Sequence, residues 1–162
     1  MSFIRDLLPE FEQEMKVTRR VIERVPTEHG EWKPHEKSFS LGHLAQLVAT
    51  MPGWVVTMLR QPDLDLQSGP GYSYESTETL LERFDQLVAD ARAAIAAATD
   101  EQMSEPWSLR MGEHVLFTQP RQRVLREHMN HLVHHRAQLG VYLRLLDVPV
   151  PSMYGPTADE KW

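Results

Sequence analysis

Between Arg126 and Leu146 the chain reads REHMNHLVHHRAQLGVYLRLL, and four of its eight histidines fall inside eight residues: His128, His131, His134 and His135. At helical spacing His131 and His135 lie one turn apart on one face, where two imidazole nitrogens can share a divalent ion. Two ligands hold an ion weakly, so a third is expected from a facing helix, and His43 is the candidate. An all-imidazole set suits zinc, nickel, copper or iron rather than calcium. With a coordination position left open, such a site is of the catalytic type and lowers the pKa of a bound water. A plainer alternative stands beside this one. Histidine pairs four residues apart are common on helix surfaces, and an inward-facing imidazole is ordinarily satisfied by hydrogen bonds. What weighs toward an ion is the cost of burying His128, His131 and His135 in one apolar stripe, because every ring nitrogen then needs a partner.

Four helices must position these rings. Apolar residues recur every three or four positions over about 3–25 (Phe3, Leu7, Phe11, Met15, Thr18, Ile22, Val25). Ser40 is the expected N-cap of a second helix over about 41–61, with His43, Leu47, Met51, Trp54 and Met58 on one face. Pro52 lies inside it and predicts a kink or a break. Ser76 caps a third helix over about 77–98. Short alternating runs, Trp107-Leu109-Met111 and Val115-Phe117, flank a Met-Gly-Glu turn and predict a small hairpin. Pro120 starts the fourth helix, which runs to about Leu146 with Val124, His128, His131, His135, Leu139, Tyr142 and Leu146 on its buried stripe and His134 turned away. The expected fold class is all-α: an antiparallel four-helix bundle in a single domain, residues 1–162, with a possible hairpin between helices three and four and an extended Pro-rich tail over about 148–162.

Composition narrows the functional classes. With a formal net charge of -6 there is no basic excess of the kind nucleic-acid binding requires. The absence of cysteine excludes disulfides, thiolate ligands and a cysteine nucleophile from this chain. No run is long and apolar enough for a membrane span, and the N-terminal stretch lacks the apolar core of a signal peptide, so a cytoplasmic protein is expected. Glu127 precedes His131 by four residues rather than three, so the E-x-x-H signature of diiron bundles is missing. There is no G-x-S-x-G, no Gly-rich phosphate loop and no H-E-x-x-H.

The stretch HMNHLVHHRAQLGVYLRLLDVPVP resembles the last bundle helix of the DinB-like superfamily, through His128, Asn130, His131, His135, Arg136, Gln138, Tyr142, Leu143 and Arg144. The segment EWKPHEKSFSLGHLAQLVATMPGW is similar to that family's entry into the second helix. The resemblance implies a four-helix bundle, often a homodimer. It also implies a divalent metal, nickel or zinc, held by one histidine of the second helix and two of the last. His131 and His135 match the latter two, and His43 stands on the same face as the former, whose usual place one turn later is taken here by Leu47. His128, one turn before His131, is read as orienting a ligand or as a buried structural residue, Asn130 and Gln138 as orienting the ligands or bonding between helices, and Arg136 as forming a surface or interhelix salt bridge. Characterised relatives include thiol-dependent S-transferases and an isomerase. The expected partners are therefore a low-molecular-weight thiol and an electrophilic small molecule. The other expectation is a stress-related binding or interaction bundle that keeps the fold, has a degenerate metal site and carries out no reaction.

Overall fold

The computed structural model describes residues 2–68, 71–73 and 76–161. Its helices are α1 (Phe3–Ile22), α2 (Leu41–Arg60), α3 (Thr77–Ala97), the one-turn α4 (Asp100–Met103) and α5 (Arg121–Leu145). Each long helix but the last begins at a serine whose hydroxyl accepts from a backbone N–H three residues on, 3.3 Å to His43 for Ser40 and 3.2 Å to Thr79 for Ser76. Of the kink or break expected at Pro52, the break is absent: α2 runs as one helix through it. Burial of Val48, Ala49, Met51 and Val55 holds that turn in place despite the missing N–H.

The all-α expectation needs correction. Three strands, β1 (Asp63–Asp65), β2 (Pro106–Met111) and β3 (His114–Pro120), form a mixed sheet in the order β1-β2-β3. The predicted hairpin is β2–β3, turning at Gly112 with φ +60°, a conformation that glycine adopts without a Cβ clash. β1 was not predicted, being only three residues of Asp-Leu-Asp. It runs parallel to β2, and Arg110 clamps it through Asp63 (2.9 Å) and Asp65 (3.2 Å).

Helix directions are a second correction. Arg19 pairs with Asp85 and Glu12 with Arg92, so α1 and α3 are antiparallel. Tyr142 bonds to the carbonyl of Phe39, His128 to that of Met51 and Arg121 to that of Met58, so α2 and α5 are antiparallel. By contrast, α3 runs parallel to α2: Gly53 abuts Leu87, and Gln102, just beyond α3, reaches the carbonyl of Leu59. The bundle is therefore up-down-down-up. The long 61–76 connection carries the chain back to start a parallel helix, as a parallel β1–β2 pair also requires.

One apolar cluster joins the long helices, with Leu7, Phe11, Leu44, Val48, Phe84 and Leu139 among its most buried members. On α5 the buried face is centred on Leu125, Met129, Leu132, Leu139 and Leu143. The stripe predicted from the histidines is therefore rotated off the core. Only His128 of the four is buried; His131 is exposed and His135 half-buried. Arg136 takes the inward position instead, at 1% exposure. Its Nη1 pairs with Glu14 Oε2 (2.7 Å) and donates to Thr18 Oγ1 and the Glu14 carbonyl (3.1 Å each). Its Nη2 donates to the Tyr154 hydroxyl (2.8 Å), which in turn donates to Glu14 Oε2 (2.8 Å). Tyr154 belongs to the Pro-rich tail, which folds back on its own bundle through Asp159 to Arg144 and Glu160 to Arg20 and Arg24.

Removing Arg136 strands a buried carboxylate. Arg136→Ala is expected to destabilise the fold by about 3–5 kcal/mol, and Tyr154→Phe by about 1–2 kcal/mol. Urea unfolding followed by circular dichroism measures both, and a loss under 1 kcal/mol for Arg136→Ala would contradict the assignment. His128 supplies a second expectation. Burial lowers its pKa to about 4, against a smaller opposing effect of the Met51 carbonyl bond. Its unfolded value lies near ~6.5, so the unfolded chain binds more protons between the two, and the stabilisation present above pH ~6.5 is lost as pH falls toward 4. Relative to His128→Gln, the wild type should lose about 3 kcal/mol across that window. A pH-independent difference between the two proteins would refute this.

Candidate ligand cleft and histidine pair

The sheet packs across one flank of the α2–α5 pair and encloses an apolar cleft of about 380 Å³. Register explains its floor. Leu64 of β1, Leu109 of β2 and Phe117 of β3 are direct cross-strand neighbours and share one sheet face. Trp107, two residues before Leu109, extends that face, and its own cross-strand neighbour is Gln119. Opposite stand Trp54 and Met58 from α2 and Val124, His128 and His131 from α5. Trp54 stacks on His128, with ring centroids 5.5 Å apart and planes at 27°, and lies 6.3 Å from the His131 ring.

At the mouth of this cleft His131 Nε2 and His135 Nε2 approach to 2.8 Å. Gln138 Oε1, 2.8 Å from His135 Nδ1, can only accept, so the His135 proton sits on Nδ1 and its Nε2 carries a lone pair. The His131 Nε2–H then donates to that lone pair. Partial desolvation, followed by the neighbouring His135 and His134 rings, lowers the His131 pKa, which favours the neutral form of that ring. His134 faces solvent with its ring 5.1 Å from His135, and Asn130 is exposed.

His43 stands elsewhere. Its ring lies between Phe39 (4.3 Å) and Tyr72 (4.4 Å, nearly parallel), and it lines a separate hollow of about 510 Å³ with Gln46, Leu47 and Thr50. Trp54, Leu64 and Leu66 line both this hollow and the apolar cleft. Among the described residues no group of three His, Cys, Asp or Glu side chains is placed to hold one ion. The helix register gives the reason. Phe39 stands opposite Tyr142, Met51 opposite His128 and Met58 opposite Arg121. Interpolation sets Leu47 opposite the turn between His131 and His135, and His43 a turn beyond it. The two converging imidazoles suit a divalent ion, but the α2 residue at their level is a leucine and His43 lines the other hollow, so the donor set among the described residues does not fit a three-imidazole centre.

Trp107, Phe117 and Leu64, which line the cleft, were not anticipated as site residues. The signal for the first two was present in the alternation of β2 and β3; that for Leu64 was too short to separate from loop.

No curated protein matches the chain. Two solved structures share its fold. A DinB-like protein from Bacillus subtilis superposes with a TM-score of 0.72 at 19% identity, covering 91% of this chain and 97% of that one. A DinB-like protein from Bacillus cereus ATCC 10987 gives a TM-score of 0.68 at 18% identity, covering 91% and 95%. The DinB family model matches residues 1–161, nearly the whole sequence, and the chain belongs to the DinB family.

Proposed function

We propose that this protein is a small-molecule-binding member of the DinB family. In this reading its ligand occupies the apolar cleft against Trp54, and its metal site is reduced to the His131–His135 pair. The observation that carries it is His43 held in an aromatic stack with Phe39 and Tyr72, lining a different hollow from the one that His131 lines, while the helix register sets Leu47 at the level of the pair. A cleft of about 380 Å³ walled by Trp54, Trp107 and Phe117 is of the size and character that hold small ligands.

A second reading has its own support. The convergence of His131 Nε2 and His135 Nε2, with His135 oriented by Gln138, is the arrangement that two ligands of a zinc or nickel ion require. In that reading the protein is a metal-dependent enzyme, a thiol S-transferase by resemblance, with a low-molecular-weight thiol and an electrophile as partners. It needs a third donor, and among the described residues no third His, Cys, Asp or Glu is grouped with the pair. A homodimer, also implied by resemblance, would form through a surface other than the tail, which its own bundle engages.

Metal analysis of tag-free protein separates the readings. The wild type is expected to hold well under one zinc or nickel per chain after dialysis. Leu47→His should bring it to about one ion and raise the melting temperature in the presence of that metal, and adding His135→Ala should cancel both gains. A firmly held stoichiometric ion in the wild type, lost in His131→Ala or His135→Ala, would overturn the first reading in favour of the second.

A further inference from the structure

One helical face of α5 supplies the polar side of the apolar cleft. Val124, Glu127, His128 and His131 follow one another at i, i+3, i+4 and i+7, and all four line it. Among the described residues that line the cleft, Glu127 alone carries a formal charge, and there is no lysine or arginine. The two imidazoles have no N–H to spare in their neutral forms. The Met51 carbonyl can only accept, so His128 donates its Nε2–H there (2.9 Å), and His131 donates its own to His135 Nε2 (2.8 Å). The remaining nitrogen of each ring is an acceptor. From α2 and β3 come the half-buried rings of Trp54 and Phe117, whose faces carry the negative side of the aromatic quadrupole. Carboxylate, imidazole lone pairs and aromatic faces thus share one electrostatic sign.

We infer that the cleft selects an organic cation, an ammonium group carried on a compact aromatic body. The ammonium pairs with the Glu127 carboxylate at the mouth, and the body lies between Trp54 and the Leu109–Phe117 row, where burial and ring contact hold it. Glu127 has one competitor: its Oε1 accepts from Arg123 Nε (2.9 Å). That contact joins two exposed side chains one turn apart on the helix, a weak kind of pair that gives way to a ligand. Arg123 itself does not line the cleft. A carboxylate ligand would meet Glu127 as a like charge and find neither a cation nor an imidazole N–H to receive it. A neutral alcohol keeps the burial of the body but lacks the charge pair and the cation–π attraction. The formal net charge of -6 favours the approach of a cation over that of an anion.

This inference rests on the reading of the cleft as a ligand site, and one ligand series tests the two separately. Tryptamine, tryptophol and indole-3-propionate share an indole-ethyl body and end in an ammonium, a hydroxyl and a carboxylate. Calorimetric titration of the full chain at neutral pH and low salt is the measurement. Tryptamine is expected to bind about tenfold tighter than tryptophol, with indole-3-propionate weakest. The tryptamine advantage should shrink at high salt. In Glu127→Gln it should fall below about threefold while tryptophol keeps its affinity. Arg123→Gln removes the competitor for the same carboxylate and should leave the advantage at least as large. Both side chains are exposed, so neither variant endangers the fold. Glu127 lines this cleft and not the neighbouring hollow, so its variant also locates the ligand. If tryptophol or indole-3-propionate binds the wild type as tightly as tryptamine does, the cleft reading stands and the cation assignment fails. An advantage undiminished in Glu127→Gln overturns the assignment equally, as does an equal loss for all three compounds, which marks Glu127 as structural. If none of the three binds the wild type, the cleft reading falls and the inference with it.

Discussion

The guanidinium of Arg136 has to be buried, and the phase of α5 follows from that. A fully enclosed cation is tolerable only beside a carboxylate and with most of its donors engaged; Glu14, Thr18 and Tyr154 engage both terminal nitrogens, while Nε is buried without a partner. Once Arg136 points at α1, every other residue of α5 is assigned a direction. At about 100° per residue the adjacent His135 turns away from the core, and His131 lies close to it on the same side. His128 falls far enough back toward the centre to be enclosed. The histidine pair therefore sits on the flank of the bundle, over the cleft, because an arginine occupies the place that the histidines seemed to claim.

The sheet is bound to the bundle by a comparable constraint. Two neighbouring helices, α2 and α3, run the same way, and a chain that does this must cross from one end of the bundle to the other between them. The crossing strand lies beside β2 because Leu64, Leu109 and Phe117 find a shared apolar face there. A bundle of strictly alternating direction would have used a short loop in place of residues 61–76, and the cleft would have had no floor.

Much of this was legible in the residues. The four long helices, the Ser40 and Ser76 caps and the β2–β3 hairpin follow from spacing and capping chemistry that act over a few residues. Helix direction is not local: nothing in the α2 or α3 stripe encodes which way its neighbour runs. The phase of α5 was half-legible. Leu125, Leu132 and Leu139 recur at seven-residue spacing, and Met129 and Leu143 flank Arg136 by the same interval. A charged residue at the centre of such a frame reads as surface until its partner is known, and Glu14 lies 122 residues away in sequence. The separation of His43 from the pair was likewise invisible, since it depends on Phe39 and Tyr72 enclosing its ring.

The pairing of β1 with β2 joins Leu64 to Leu109 and so brackets the whole of α3. Closing so long a segment is entropically costly, and on the β1 side three residue pairs and the Arg110 clamp hold it closed. The short, half-buried β1 is thus the part of the sheet nearest the low-stability end of the molecule, while β2 carries Trp107 into the core. Opening β1 alone would dissolve the cleft floor and leave the bundle intact. The binding surface and the scaffold are in that sense separate cooperative units, and a ligand seated between Trp54 and Phe117 would tighten the sheet at the strand that the fold leaves loosest.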